Sequence, residues 1–160
     1  AEYVGGSEEA FVNMMNRRAQ ELMANGTHFM NPHGLHDDNH YTTAYDLYLI
    51  FNECIKHEDF VNIIQSEAYT AYYTDVDGNS QEALFTPTNL YAQGEVDVPE
   101  NVTIVGGKTG TTDEAGYCLI LMEKDSSDNP YISIVMGASE KPVLYEDMTS
   151  LIEAIPSGQQ

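Results

Sequence analysis

Basic side chains are scarce in this sequence. Six Lys and Arg stand against 26 Asp and Glu in 160 residues, a formal net charge of −20. A surface of that sign repels polyanions at every distance that salt leaves unscreened, which argues against nucleic acid and anionic membrane surfaces as partners. Long apolar runs are also missing, none approaching the roughly 20 residues that span a bilayer. The N-terminus has neither a basic nor an apolar segment, so no leader is read there and a soluble chain is expected. Cysteine occurs only as Cys54 and Cys118, without the short spacing of a metal knuckle or redox pair. Both sit in apolar patterns and read as buried thiols. Whether they bridge depends on how close the fold brings them, and the redox compartment stays open.

What is present describes one globular domain, with 42% hydrophobic and 10% aromatic residues, enough to bury a core. Ser7 followed by Glu8, Glu9 and Ala10 reads as a capping box, and Phe11, Met14, Met15, Ala19 and Leu22 then recur at helical spacing. Residues 25–41 dissolve into Asn, Gly, Pro, His and Asp, a loop composition. Thr43 can cap a second helix with the apolar face Ala44, Leu47, Tyr48, Phe51, Cys54 and Ile55, and residues 59–64 give a further helical turn. Tyr69, Ala71 and Tyr73 ahead of Asp77-Gly78 read as a strand entering a tight turn. After a poorly patterned stretch come three strand-like runs, 102–109, 116–123 and 131–137, with short polar connections that suit an antiparallel meander. A final helix carries Met148, Leu151, Ile152 and Ile155, with Pro156, Ser157 and Gly158 as its stop. The expected class is α+β, a helical part over 1–67 and a sheet part over 68–160 within one domain.

Chemistry concentrates in Gly107-Lys108-Thr109-Gly110-Thr111-Thr112, which ends one strand and precedes Asp113-Glu114-Ala115-Gly116-Tyr117-Cys118-Leu119. An ammonium in so acidic a background is a natural minimum for a carboxylate. Thr109 and Thr111 add hydroxyl donors, side-chain-free Gly110 admits a ligand backbone, and a strand edge offers N–H groups to a developing oxyanion. A bare Lys-Thr-Gly is a weak signal, but its neighbours strengthen it. Residues 107–119, together with Thr27-His28-Phe29-Met30-Asn31-Pro32-His33-Gly34-Leu35-His36-Asp37, strongly resemble the low-molecular-weight penicillin-binding proteins, the serine D-alanyl-D-alanine carboxypeptidases. Phe11 to Asn16 with Ala19, Glu21 and Leu22 precede that loop, and Tyr41 to Leu47 follow it, as in the family.

The resemblance implies a truncated penicillin-binding protein/serine β-lactamase-like fold, no cofactor, and a peptidoglycan stem peptide or a β-lactam as ligand. In that family a Ser-x-x-Lys serine attacks the bond between two terminal D-alanines, a Ser-x-Asn motif assists proton transfer, and Lys-Thr-Gly lines the opposite wall. Carried over, Lys108 tunes the acid/base network, and Thr109 and Gly110 hold substrate beside Thr112. The Thr111 N–H faces the oxyanion, and His33 belongs to the loop shaping the cleft. No serine here is followed by lysine three positions on, so the nucleophile motif is absent and the chain alone is expected to be inactive. It reads as the C-terminal part of the catalytic domain, from an exported parent acting at the cell envelope. The edge of the 131–137 strand is then expected to be exposed and covered by a second copy or an N-terminal fragment. Where many members carry an arginine after the final strand, Leu144-Tyr145-Glu146 stands, leaving a terminal carboxylate to Lys108 and hydroxyls, or to Lys141.

Other readings compete. His28, His33, His36, Asp37, Asp38 and His40 are metal-ligand types, but the family loop accounts for most of them as a hydrogen-bonded loop without metal. Asp75, Asp77 and Asn79 suit a hairpin turn better than a calcium loop. Ser127-Asp128-Asn129 falls after Lys-Thr-Gly and reads as a β-turn before Pro130. Tyr69, Tyr72, Tyr73 and Tyr91 read as core and interface aromatics. Lys108 could be an ordinary surface lysine. Two other functional classes remain, a non-catalytic module or pseudoenzyme binding stem peptides, and a serine β-lactamase relative.

Overall fold

The computed structural model describes residues 1–156. Helices α1 (Glu2–Gly5), α2 (Glu8–Glu21), α3 (Ala44–Cys54) and α4 (Glu58–Ile64) come first. They are followed by the hairpin β1 (Tyr69–Thr74) and β2 (Ser80–Phe85), one turn of helix α5 (Leu90–Gln93), strands β3 (Val102–Thr112), β4 (Gly116–Asp125) and β5 (Pro130–Ala138), and helix α6 (Lys141–Glu153). The α+β class and the meander are as expected. Ser157 and Gly158, part of the anticipated helix stop, lie outside the described residues.

Ser7 does cap α2, its hydroxyl accepting from Ala10 N–H at 3.1 Å. The capping box is corrected to this one-sided cap, because the third helical residue is Ala10 and has no carboxylate to reach back. Thr43 caps α3 in the same way through Asp46 N–H. Between the two helices the loop is tied by side chains. Asn16 both donates to and accepts from the Phe29 backbone, the Thr27 hydroxyl donates to buried Asp46, and buried Asn31 closes the Gly34–Leu35 turn.

The main sheet runs β3-β4-β5, antiparallel throughout. Its register places Leu119 and Leu121 of β4 in a core with Leu144, Tyr145, Met148, Ile152 and Ile155 of the C-terminal segment. Leu119, Leu121, Met148 and Ile152 are almost entirely removed from water, each worth about 1.5–3 kcal/mol of burial. Tyr91 and Tyr145 meet edge to face at 5.3 Å. Asn101 donates to the Ile152 and Ile155 carbonyls at the end of α6, tying that end to the start of β3. Leu151, expected on the apolar face, is instead 45% exposed.

β1 and β2 form a separate two-stranded sheet. Tyr69, Tyr72 and Tyr73 are all more than half exposed, so they are not core residues; only Tyr91 is. The turn is the expected hairpin, with Asp75 accepting from Asp77, Asn79 and Gln81. These bonds, led by Gln81, hold its carboxyl below the ordinary range. The β4–β5 turn repeats the device, Asp125 accepting from the N–H groups of Ser127 and Asn129, and Asp128 takes a left-handed φ of 67°. Cys54 and Cys118 are free thiols, half-buried rather than fully buried.

Candidate active site

β3 is an outer strand of its sheet, so the backbone of Lys108, Thr109, Gly110 and Thr111 lies along an edge unpaired among the described residues. Two glycines set its approach. The ladder slips between Ile104 and Gly106, a bulge that bends the strand, and a Cβ on Gly106 would run into the carbonyl of Ile64. A Cβ on Gly107 would strike the Ile120 carbonyl. Gly110 differs, since a Cβ there would meet nothing within 4 Å. The fold itself therefore does not require glycine at that position.

Lys108 is exposed, and its ammonium donates to the Thr109 carbonyl. Arg17, Arg18, Lys56 and Lys124 all lie within ion-pair distance of carboxylates. Among the described residues Lys108 has no such partner. It lines a groove of about 660 Å³ with Gly107 and Thr109 on one side and Ile63, Tyr69, Phe85, Pro87, Thr88 and Asn89 among the residues opposite. None of the lining residues is acidic, notable in a chain of net charge −20. The volume lies in the range of small-ligand sites.

The other expected residues divide. Thr111 is exposed and pairs with Tyr117 across the ladder. Thr112 spends its hydroxyl on the hairpin turn, accepting from Ala115 N–H at 3.0 Å. His33 does not line the groove. Its Nδ1 accepts from Leu35 N–H and its Nε2 is 3.7 Å from Glu8.

The histidine-rich segment is a hydrogen-bonded loop. His28 pairs with the Asn39 carbonyl at 2.7 Å. His40, its imidazole pushed down by burial, accepts from Met30 N–H. His36 lies 3.2 Å from Asp38 and 3.8 Å from Glu114, bringing the loop to the β3–β4 turn just beyond the Lys-Thr-Gly strand.

Sequence reasoning missed the opposite wall. Thr88 approaches the Thr109 hydroxyl at 2.5 Å. Asn89 is buried, caps α5 through Tyr91 N–H, and leaves its side-chain N–H₂ without an acceptor among the described residues. The turn-forming run Thr86-Pro87-Thr88-Asn89 was the available signal. A second missed group is Glu123, wholly buried on the core side of β4.

The sequence profile of the D-alanyl-D-alanine carboxypeptidase family matches residues 1–140, and the chain belongs to that family. It is 32% identical over 153 residues to D-alanyl-D-alanine carboxypeptidase DacF of Bacillus subtilis, covering 96% of this chain and 36% of that protein. With DacA of Haemophilus influenzae it shares 31% over 137 residues, 86% of this chain and 32% of the relative. Among solved structures, a point mutant of the Streptomyces K15 DD-transpeptidase superposes with a TM-score of 0.80 at 25% identity, covering 91% of this chain and 54% of that one. The D-alanyl-D-alanine carboxypeptidase DacD of Francisella tularensis gives 0.79 at 23% identity, with 96% and 46% covered. The chain thus spans about a third of these curated relatives and about half of the structural neighbours. Among the described residues no helix is long and apolar enough to cross a membrane.

Proposed function

We propose that this chain supplies the substrate-binding and oxyanion wall of a serine D-Ala-D-Ala carboxypeptidase acting on peptidoglycan stem peptides, and that the attacking serine lies on polypeptide outside it. The observation that carries the reading is Lys108, a cation unneutralised by any carboxylate of the described residues, on an open strand edge in a groove lined by no acid. A peptide adding to the β3 edge gains main-chain hydrogen bonds there, with its terminal carboxylate near Lys108 and Thr109. Gly110 gives its backbone room, and the Thr111 N–H stabilises the oxyanion of acyl transfer. Lys108 also favours the deprotonated form of groups brought against it. Thr112 enters through the turn it closes and His33 through the loop it helps shape. The open edge of β5 pairs with a further strand, from a second copy or from the segment bearing the serine, and the parent works outside the cytoplasm, where stem peptides are.

Fluorescent penicillin tests the proposal. The chain by itself stays unlabelled, because none of its serines has a lysine three positions on. Mixed with the N-terminal half of a family catalytic domain, it yields a labelled complex that K108A weakens. Covalent label on this chain alone, or labelling indifferent to Lys108, overturns the assignment.

A further inference from the structure

Thr88 reaches the Lys-Thr-Gly strand from a part of the chain 21 residues earlier, its hydroxyl oxygen 2.5 Å from that of Thr109. Each hydroxyl has one proton to give. At this separation one donates to the other, so the pair keeps a single proton for its surroundings, and polarisation along the chain strengthens that outward donor. The pair sits in the groove with Lys108 as its only charged lining residue. No arginine serves this groove, since Arg17 and Arg18 lie in α2 beside Glu21. Lys141 lines a separate cavity with Leu90, Val96 and Tyr145, which removes it as a carboxylate ligand here. An anion entering the groove finds charge at Lys108 and directed hydrogen bonds only from neutral groups.

We propose that Thr88 is a positioning residue for carboxylate recognition: it donates to the Thr109 oxygen and so turns the Thr109 proton toward the terminal carboxylate of a peptide lying along β3. This deepens the function proposed above and rests on it for the peptide. One outward hydroxyl proton beside one ammonium then stands where a guanidinium would give two parallel donors. Such a clamp distinguishes a free carboxylate from its amide, because the amide has neither the charge nor the second acceptor oxygen.

NMR titration of the isotope-labelled full chain tests it, using N-acetylated D-Ala-D-Ala with a free carboxylate and the same peptide as its C-terminal amide. Thr88 is exposed, so T88V, which keeps the shape and removes the hydroxyl, should retain the native spectrum. T88V weakens binding of the acid about tenfold, the size of one hydrogen bond to a charged group, and leaves the amide unchanged. T88S restores the wild-type preference. Equal binding of the acid by wild type and T88V, or equal loss of acid and amide, overturns the role of Thr88. Should the wild-type chain bind neither peptide, the stem-peptide reading fails by itself, and acetate decides the clamp. A Thr88-dependent acetate response at the Lys108 and Thr109 amides upholds it, and a response that T88V leaves intact, or no response at all, refutes it.

Discussion

Glu123 offers a quantitative test of how this core is balanced. It lies on β4 between Leu121 and Asp125, on the face packed against α6, opposite Ile104 on β3 and Tyr131 on β5. The residue is 0% exposed, and neither carboxylate oxygen has a hydrogen-bond partner among the described residues. Burial pushes its carboxyl from 4.5 up to about 7, only partly offset by nearby Ser133. A carboxyl that is harder to ionise when folded binds its proton more tightly in the native state than in the unfolded chain. Its contribution is therefore fully present below pH 4.5, falls as pH rises from there, and is gone above about 7. Across that interval, at 1.36 kcal/mol per pH unit, the loss comes to about 3 kcal/mol. For a domain of this size that corresponds to roughly 6–12 °C in Tm.

The assay is thermal unfolding at pH 5, 6, 7 and 8 of wild type and E123Q at constant ionic strength. Mutual repulsion among the many exposed carboxylates also grows with pH, but it is common to both proteins and drops out of their difference. The amide cannot ionise, so wild type should lose stability relative to E123Q by about 2.5 kcal/mol between pH 5 and 8, with most of the change before pH 7. Parallel curves would refute the reasoning, showing that Glu123 meets water or a donor in solution.

Two glycines a few residues apart should respond in opposite ways. G107A, with its Cβ forced against the Ile120 carbonyl, should destabilise the fold by about 1–3 kcal/mol in urea titration, whereas G110A should leave the urea midpoint unchanged and abolish peptide binding along β3. If β5 presents an unsatisfied edge, its outward amides should exchange with D₂O far faster than those bonded to β4, and should gain protection when a strand-bearing partner is added; uniform protection in the isolated monomer would remove the need for one.

The parts legible in the sequence were those whose signal is local. Strands β3 to β5 follow one another through short polar turns, and their alternation showed, although β3 and β4 run two or three residues further than the apolar pattern did. One-turn helix α5 has too few residues for any periodicity. Tyr69, Tyr72 and Tyr73, read as core and interface aromatics, fall outside the core for a different reason. Aromatic residues in a strand report that a surface is to be covered, not whether this chain covers it. Glu123 was readable in principle, since it shares parity with Leu119 and Leu121. Thr88 was readable only as part of a turn-forming run, because its meaning comes from a tertiary contact with Thr109.

The groove at Lys108 is likewise organised by contacts distant in sequence. Everything that sets the geometry of Lys108 lies within the sheet and its supports. The bulge at Gly106 sits against α4, Gly107 lets β3 close on β4, Thr88 braces Thr109 from the opposite side, and Tyr91 and Tyr145 fix the α5 segment that carries Thr88 into place. The Leu90 N–H donates to the Tyr145 hydroxyl at 2.9 Å, and the Tyr91 hydroxyl pairs with Thr149 at 2.7 Å. The Lys108 edge is thus anchored to the most deeply buried part of the molecule, while the exposed aromatic hairpin and the β5 edge, unpaired among the described residues, lie apart from that core. Binding of a carboxylate at Lys108 should then survive perturbations of the hairpin tip, such as D75A, and fail with those that loosen the α5–α6 contact.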